Sequence, residues 1–527
     1  MNGRNTLRVG IDLGTTNTCC YCERNGIISP LHTKQGGYIL PSYVLFQENG
    51  KISVGSIAKD KLDKNVKGTY IVHNSKRVLG KDFEDPSVQQ LKDSCGVPII
   101  NQRGKPVFKI GEERVVTPKE VATEIIKAVL EQVRAVYEQE PTEVCVTIPA
   151  RFGHNERVLT RQAVIDAGIP ESAVVIQNEP TVAAICYGED FAKEGKRRVL
   201  VYDLGGGTFD LSIVEINNGS YTVKCHEGDP NLGGADFDRL ILKWVESKYE
   251  NDYRELLFPS SMPERLKGKY INKYLYDIEE YKKQLSFVES VEMSFSFIPK
   301  YKPASVDEDE ESFSYDMTLN DLNAILNDEI EKTINMVCSL LNKHQMMVSD
   351  IDGVILVGGS SRLKIVEERL GELFGKDKLK YSVNPDECVA KGALYYLMNK
   401  VNIKEVTSKS LGIELSGNRV KCIIPAQTSL PTIKTVVVRT TRDNQMKVTS
   451  KVIQNYQENE NDIAPIDESC VILHEFEWSG FQIRPKQEVI FEIAYAIDEF
   501  GILSVRVIEK KTDKVLINNL SIAVQEL

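Results

Sequence analysis

Two segments of this chain repeat one design. Ile11-Asp12-Leu13-Gly14-Thr15-Thr16-Asn17 and Tyr202-Asp203-Leu204-Gly205-Gly206-Gly207-Thr208 each run from an apolar strand through an aspartate into a tight turn of glycine and threonine. Glycine lets a backbone approach a phosphate closely, successive N–H groups of such a turn converge on its oxygens, and an aspartate at the strand end can hold a hard cation through water. Two such grips in one chain imply two related lobes clasping a single nucleotide.

At 527 residues the chain is too long for one core, and length alone suggests about three domains. Its net charge of -11 argues against the basic footprint of a nucleic-acid binder, so DNA and RNA are not expected partners. Met1 to Arg8 is short and polar, without the apolar core of a signal peptide, and no later stretch is apolar enough to span a bilayer. No membrane partner and a cytoplasmic location are expected. The eleven cysteines are an odd number scattered through apolar patterns, which suits a reducing compartment. Cys19 and Cys22 match CxxC formally, but on a strand they point to opposite faces. With no second ligand pair nearby, metal or redox use is not expected there.

From Arg8 to Lys400 strand patterns (Arg8 to Ile11, Glu143 to Ile148, Arg198 to Asp203, Ser212 to Ile216, Gly353 to Val357) mix with helical ones such as Pro118 to Glu138 and Leu319 to Asn342. Each half opens with a similar strand, turn and strand, so an internal duplication is the economical reading. The acidic run within Ala304 to Ser312 reads as a solvated loop. After Lys400 alternating strands take over (Thr435 to Arg439, Met446 to Ile453, Glu488 to Ile497, Ile502 to Glu509), which describes a β domain.

No GxxxxGK[ST] loop is present, so the phosphates are held in another way. Two further punctuated strand ends are Asn178-Glu179-Pro180-Thr181 and Gly358-Gly359-Ser360-Ser361-Arg362. In this order the four segments closely resemble the seventy-kilodalton heat-shock chaperone family, of which DnaK-type proteins are the bacterial form. The resemblance runs from about Arg8 to Ala523. It implies an α/β actin-like nucleotide-binding domain, built of duplicated ribonuclease H-like lobes at residues 5–196 and 197–400. A linker at 401–409 and an all-β sandwich that binds peptide, at 410–527, would follow.

Carried over position by position, the resemblance implies that Gly14, Thr15, Thr16 and Asn17 wrap the β- and γ-phosphates of ATP or ADP. Gly206, Gly207 and Thr208 would close from the other lobe. Asp12 and Asp203 would hold Mg2+ largely through water, with K+ left open as an accompanying cation. Lys76 matches the lysine that reaches the γ-phosphate, and Glu179, Asp210 and Thr208 match the groups that orient or deprotonate the attacking water. Hydrolysis would then be slow and would depend mainly on positioning and charge neutralisation. On the adenosine side, Glu279, Lys282, Lys283 and Ser286 align with one wall and Gly358, Gly359, Ser360, Arg362 and Asp386 with the other. Lys283 stands where the family has arginine, and a lysine cannot stack its plane on a base. Pro149 matches the switch proline between lobes. The relay arginine that follows is Arg157 by direct counting and Arg161 by the surrounding pattern, with a slight preference for Arg161.

In the β domain, the resemblance places Ile413, Val438 and Val448 in an apolar pocket for one side chain of an extended peptide, with Ser416 and Thr441 arching over it. Three departures carry expectations. The linker Val401-Asn402-Ile403-Lys404-Glu405-Val406 keeps alternate apolar residues but lacks the family's continuous apolar strip that docks on the nucleotide lobes, so weaker coupling between the domains is expected. Val175 replaces an arginine that meets J-domain partners, so a general J-domain co-chaperone is not expected to serve, and the exchange factor is left open. The chain stops at Leu527, so the helical lid is expected to be missing and peptide release to be fast.

The leading function is thus an ATP-hydrolysing chaperone, acting as a monomer on unfolded or extended polypeptide. Its alternatives are a nucleotide switch acting on one dedicated protein and, less favoured because of the appended β domain, an actin-fold kinase of a small molecule.

Overall fold

The computed structural model describes residues 6–62, 68–92, 95, 97–188, 195–399, 401–415, 418–455, 463–467 and 470–522. Strand Leu7–Leu13 lies parallel to Glu143–Ile148 and antiparallel to Asn17–Arg24. It belongs to a six-stranded sheet in the order Val174–Asn178, Glu143–Ile148, Leu7–Leu13, Asn17–Arg24, Ile27–Pro30, with Ile39–Pro41 also pairing Asn17–Arg24. Strand Arg197–Leu204 repeats the scheme. It is parallel to Gly353–Val357 and antiparallel to Phe209–Asn217, in a sheet completed by Leu379–Lys380, Ser220–Asp229 and Asn402–Lys404.

The first sheet alternates along Asn17–Arg24. Cys20 and Cys22 join one apolar core and Cys19 and Tyr21 another, so the CxxC sulfurs part to opposite faces. Helix Pro118–Tyr137 covers one side of this sheet. It begins at Thr117, which forms a capping box with Glu120 and is followed by proline. Its buried residues Val121, Ile125, Ile126, Val129, Leu130 and Val133 recur at helical spacing.

Helices Glu179–Cys186 and Cys388–Asn399 pack on each other between the two sheets. Their approach is close enough that a Cβ on Gly392 would lie 1.9 Å from the Val182 carbonyl oxygen. Likewise, a Cβ on Gly10 would lie 2.5 Å from the carbonyl oxygen of Ala390. Backbone-to-backbone contact therefore joins the sheets through this helix pair. The acidic run lies between strands Ser290–Ser296 and Ser312–Thr318, which pair antiparallel.

The C-terminal part is two antiparallel sheets enclosing one core. The five-stranded sheet has the order Ile463–Pro465, Arg419–Ile424, Ser410–Leu415, Lys447–Asn455, Cys470–Ser479; the four-stranded sheet has Thr432–Arg439, Ile490–Ile497, Leu503–Glu509, Lys514–Ser521. Ile490–Ile497 buries every second residue, as a strand with one inward face should. Trp478 stacks on Phe476 and meets the edge of Phe491 at the centre.

The linker segment Asn402–Lys404 is a strand, paired in parallel with Ser220, Tyr221 and Thr222. Val406 is buried, and Val401 and Ile403 pack beside it on the core of the second sheet. Parallel pairing uses backbone groups, so the interrupted apolar strip does not prevent it.

Candidate nucleotide-binding cleft

Asp12 and Asp203 stand near the ends of the two central strands, and the turns after them come into contact. A Cβ on Gly206 would lie 2.1 Å from Oγ1 of Thr16, and one on Gly207 would lie 2.6 Å from Cγ2 of Thr15. Only glycine permits this approach. Gly14 is equally confined, because a Cβ there would lie 2.1 Å from the Asn17 carbonyl oxygen. Gly358, at φ +79°, faces the carbonyl of Leu204 in the same way.

Between the sheets lies a cavity of about 720 Å³. Its lining includes Asp12, Gly14, Thr15, Thr16, Asn17, Lys76, Glu179, Asp203, Gly206, Gly207 and Thr208 at one end. At the other are Glu279, Lys282, Lys283, Ser286, Gly358, Gly359, Ser360, Arg362 and Asp386. Asp12 and Asp203 thus share one crevice. Asp210 is not in the lining; it sits directly behind, paired in register with Asp203 on the neighbouring strand.

Three carboxyls meet at the acidic end. Burial pushes the Asp12 carboxyl up to about 7, helped by the charge of Glu179. Burial raises Asp203 well above its ordinary value, with Glu179, Asp210 and Asp12 adding to it. Asp210 rises to about 7 for the same reasons, burial first and then Glu179. Against these carboxyls stands Lys76, whose Nζ lies 2.8 Å from Oε1 of Glu179. Among the described residues no group of three or more His, Cys, Asp or Glu is assembled to ligate a metal directly. The donor set instead fits a hard cation that keeps water and phosphate oxygens in its coordination shell.

At the other end, burial works against the charged form of Glu279, but Lys59 and Lys283 outweigh it and hold the carboxyl at about 2. Lys283 is bound to Glu279 at 2.7 Å and Glu280 at 2.9 Å. Lys282 lies 2.6 Å from Asp238 and donates to the Gly234 carbonyl at 2.8 Å. Arg362 lies 2.9 Å from Asp386 across this wall.

Several groups that close the cleft carry no local sequence signal. Arg77 donates from Nη1 to Asp236 at 3.2 Å, Lys59 reaches Glu279 at 2.9 Å, and Arg151 donates to the Gly228 carbonyl at 2.6 Å. Each joins residues 77 to 220 positions apart, and only the adjacency of Arg77 to Lys76 could have hinted at one of them.

Pro149 follows strand Glu143–Ile148 and accepts a hydrogen bond from the Phe152 amide at 3.1 Å. Of the two arginines after it, Arg161 points outward to Glu171 at 2.6 Å. Arg157 is buried, donating to Asn178 at 3.0 Å and to the Phe500 carbonyl of the C-terminal sheets at 3.1 Å. Of the two candidates for the relay arginine, Arg157 is thus the one in contact with the C-terminal sheets, while Arg161, the slightly preferred one, pairs with Glu171. Asn178 immediately precedes Glu179, so this chain of contacts ends at the cleft. Glu405, also buried, accepts from the Thr181 hydroxyl at 2.6 Å. His154 adds a further bridge that sequence gave no reason to expect: its Nδ1 accepts from the Leu503 amide at 3.3 Å, and its Nε2 lies 2.7 Å from the Ile522 carbonyl oxygen.

In the C-terminal sheets Ile413 is 4% exposed and belongs to the core itself, while Val438 and Val448 are half-buried at its margin. Thr441 is exposed, its amide held by Oε1 of Gln445 at 2.9 Å. Ser416 lies outside the described residues. Compared with known protein families, the chain matches the model described as Hsp70 protein over residues 8–525.

Proposed function

The chain belongs to the Hsp70 family, and on that premise we propose that it is an ATP-dependent molecular chaperone of the DnaK type. Members of the family hydrolyse ATP and bind unfolded polypeptide. In this reading two actin-like lobes, 5–196 and 197–400, enclose the nucleotide, and the β domain from residue 410 holds extended polypeptide. The observation that carries it is the single cavity into which both glycine turns and Asp12, Asp203, Lys76 and Glu179 converge.

Backbone amides of Gly14–Asn17 and Gly206–Thr208 would grip the β- and γ-phosphates from opposite sides. Lys76, now held by Glu179, would swing its ammonium to the γ-phosphate and free the carboxylate. Glu179, with Asp210 and Thr208 behind it, would then orient a water for in-line attack. Asp12 and Asp203 would hold magnesium through water, and its charge would offset that of the phosphate oxygens. Glu179 is also next to Asn178, so the partner of Arg157 lies one residue from the water-orienting group. Through Arg157 and Glu405 a change at the γ-phosphate would be felt by the C-terminal sheets, and so by bound peptide.

Single-turnover ATP hydrolysis and peptide release, each with ATP and with ADP, test the proposal. Lys76→Ala and Asp203→Asn should each lower turnover at least about a hundredfold, as removal of a charge-stabilising group does. No turnover by the unaltered protein with magnesium would end the ATPase reading. Equal peptide release in ATP and ADP would end the chaperone coupling alone.

A further inference from the structure

A large aromatic ring stands at the mouth of the cleft with little to cover it. Phe287 is 78% exposed and lines the same cavity as Lys283, Ser286 and Arg362. Its backbone is fixed. The helix Glu264–Gln284 ends in successive turns, with the amides of Leu285, Phe287 and Val288 bonded to the carbonyls of Tyr281, Gln284 and Gln284 at 3.1, 2.8 and 3.1 Å. Leu285, fully buried, anchors that turn in the core. The backbone that carries the ring is therefore held and is not a wandering loop.

The lysines of this wall are already engaged. The Lys283 ammonium is held by both Glu279 and Glu280, so it is drawn back along its own helix. A point charge so neutralised offers a base neither a plane nor a free cation. On the facing wall Arg362 is tied to Asp386 and Asn384, which sets its guanidinium plane. Phe287 and Arg362 line one cavity, so a planar, π-rich ligand group that enters it meets an uncovered ring. Stacking on aromatic side chains and on arginine planes is sequence-tolerant but strongly favours flat heteroaromatics.

We propose that Phe287 is the stacking platform for the nucleobase, and that it supplies the plane that Lys283 cannot. The proposal rests on the reading of the cleft as a nucleotide site and adds a specificity-determining residue to it. A ring with two rotatable bonds loses little freedom on stacking, so most of the contact is retained as affinity. Purines, having the larger face, should be preferred to pyrimidines.

Calorimetric titration of the full chain with ADP, UDP and inorganic tripolyphosphate separates the possibilities. Phe287→Ala should weaken ADP binding about tenfold, equivalent to roughly 1.4 kcal/mol, while leaving tripolyphosphate binding unchanged. Phe287→Trp should restore ADP affinity and have its indole fluorescence quenched by ADP but not by tripolyphosphate. Unchanged ADP affinity in Phe287→Ala, or an equal loss for tripolyphosphate, overturns the stacking role while the nucleotide site stands. Failure of the unaltered protein to bind either ADP or tripolyphosphate overturns both.

Discussion

Acidification should release the C-terminal sheets from the rest of the molecule. A neutral imidazole has one donor and one acceptor, and the site of His154 uses each: Nδ1 accepts from the Leu503 amide and Nε2–H donates to the Ile522 carbonyl. A protonated ring would turn an N–H toward the Leu503 N–H. Burial lowers the His154 pKa from its ordinary 6.5; Glu156 and Asp498 nearby favour the charged ring, and Arg157 opposes it, without reversing the effect of burial. The depressed pKa fixes the sign. Docking has its full strength above the undocked value near 6.5 and weakens as pH falls below it toward the docked value. If the docked ring took no proton at all, going from pH 7.5 to 5.5 would cost about 1.4 kcal/mol, or tenfold in the docking constant. His226, buried beside the linker and pushed down to about 3 by burial and by Arg151 and Arg157, acts in the same direction. The two together set a ceiling of roughly a hundredfold. Hydrogen exchange at the Leu503 amide and at Asn402–Lys404, corrected for the intrinsic pH dependence of exchange, reads the docked fraction. His154→Gln should shrink the response and a His154→Gln, His226→Gln double variant should lose it. Equal protection at pH 7.5 and 5.5 in the unaltered protein would refute the reasoning.

The two arginines one helical turn apart should behave differently in the same measurement. Arg157→Ala removes a charged donor from the Phe500 carbonyl and should cost docking about 1.5–3 kcal/mol; Arg161→Ala, losing a surface pair with Glu171, should stay within about 1 kcal/mol of the unaltered chain. Gly392→Ala drives a Cβ to 1.9 Å from the Val182 carbonyl oxygen and should lower stability by at least about 1–3 kcal/mol. Thermal unfolding checks this, and an unshifted Tm would mean that the two helices can part at no cost.

Much of the fold was legible because its signals are local. The strand Glu143–Ile148 follows from a continuous apolar run and the helix Pro118–Tyr137 from apolar residues at helical spacing. Both glycine turns were visible for the same reason, since a run of Gly and Thr after a strand-end aspartate has few other uses. The choice between Arg157 and Arg161 was not visible. Both lie on helix His154–Asp166, and only the position of the C-terminal sheets decides which face of that helix is buried. The pairing of Asn402–Lys404 has no side-chain pattern to announce it, because the strand is held by the backbone edge of Ser220–Thr222. The burial of Ile413 in the core shared by the two C-terminal sheets is likewise set by tertiary packing.

From sequence alone came the pieces with a period or a punctuation: two matched turns, the strands and helices around them, and a change to β texture after Lys400. Tertiary structure alone decided what those pieces face. The meeting of Gly206 with Thr16, the placing of Asp12 and Asp203 in one crevice, and the bridges of Arg157 and His154 to Phe500, Leu503 and Ile522 all join residues more than a hundred positions apart. Charge and hydrogen bonding act across a few ångströms of space, and distance along the chain gives no measure of that.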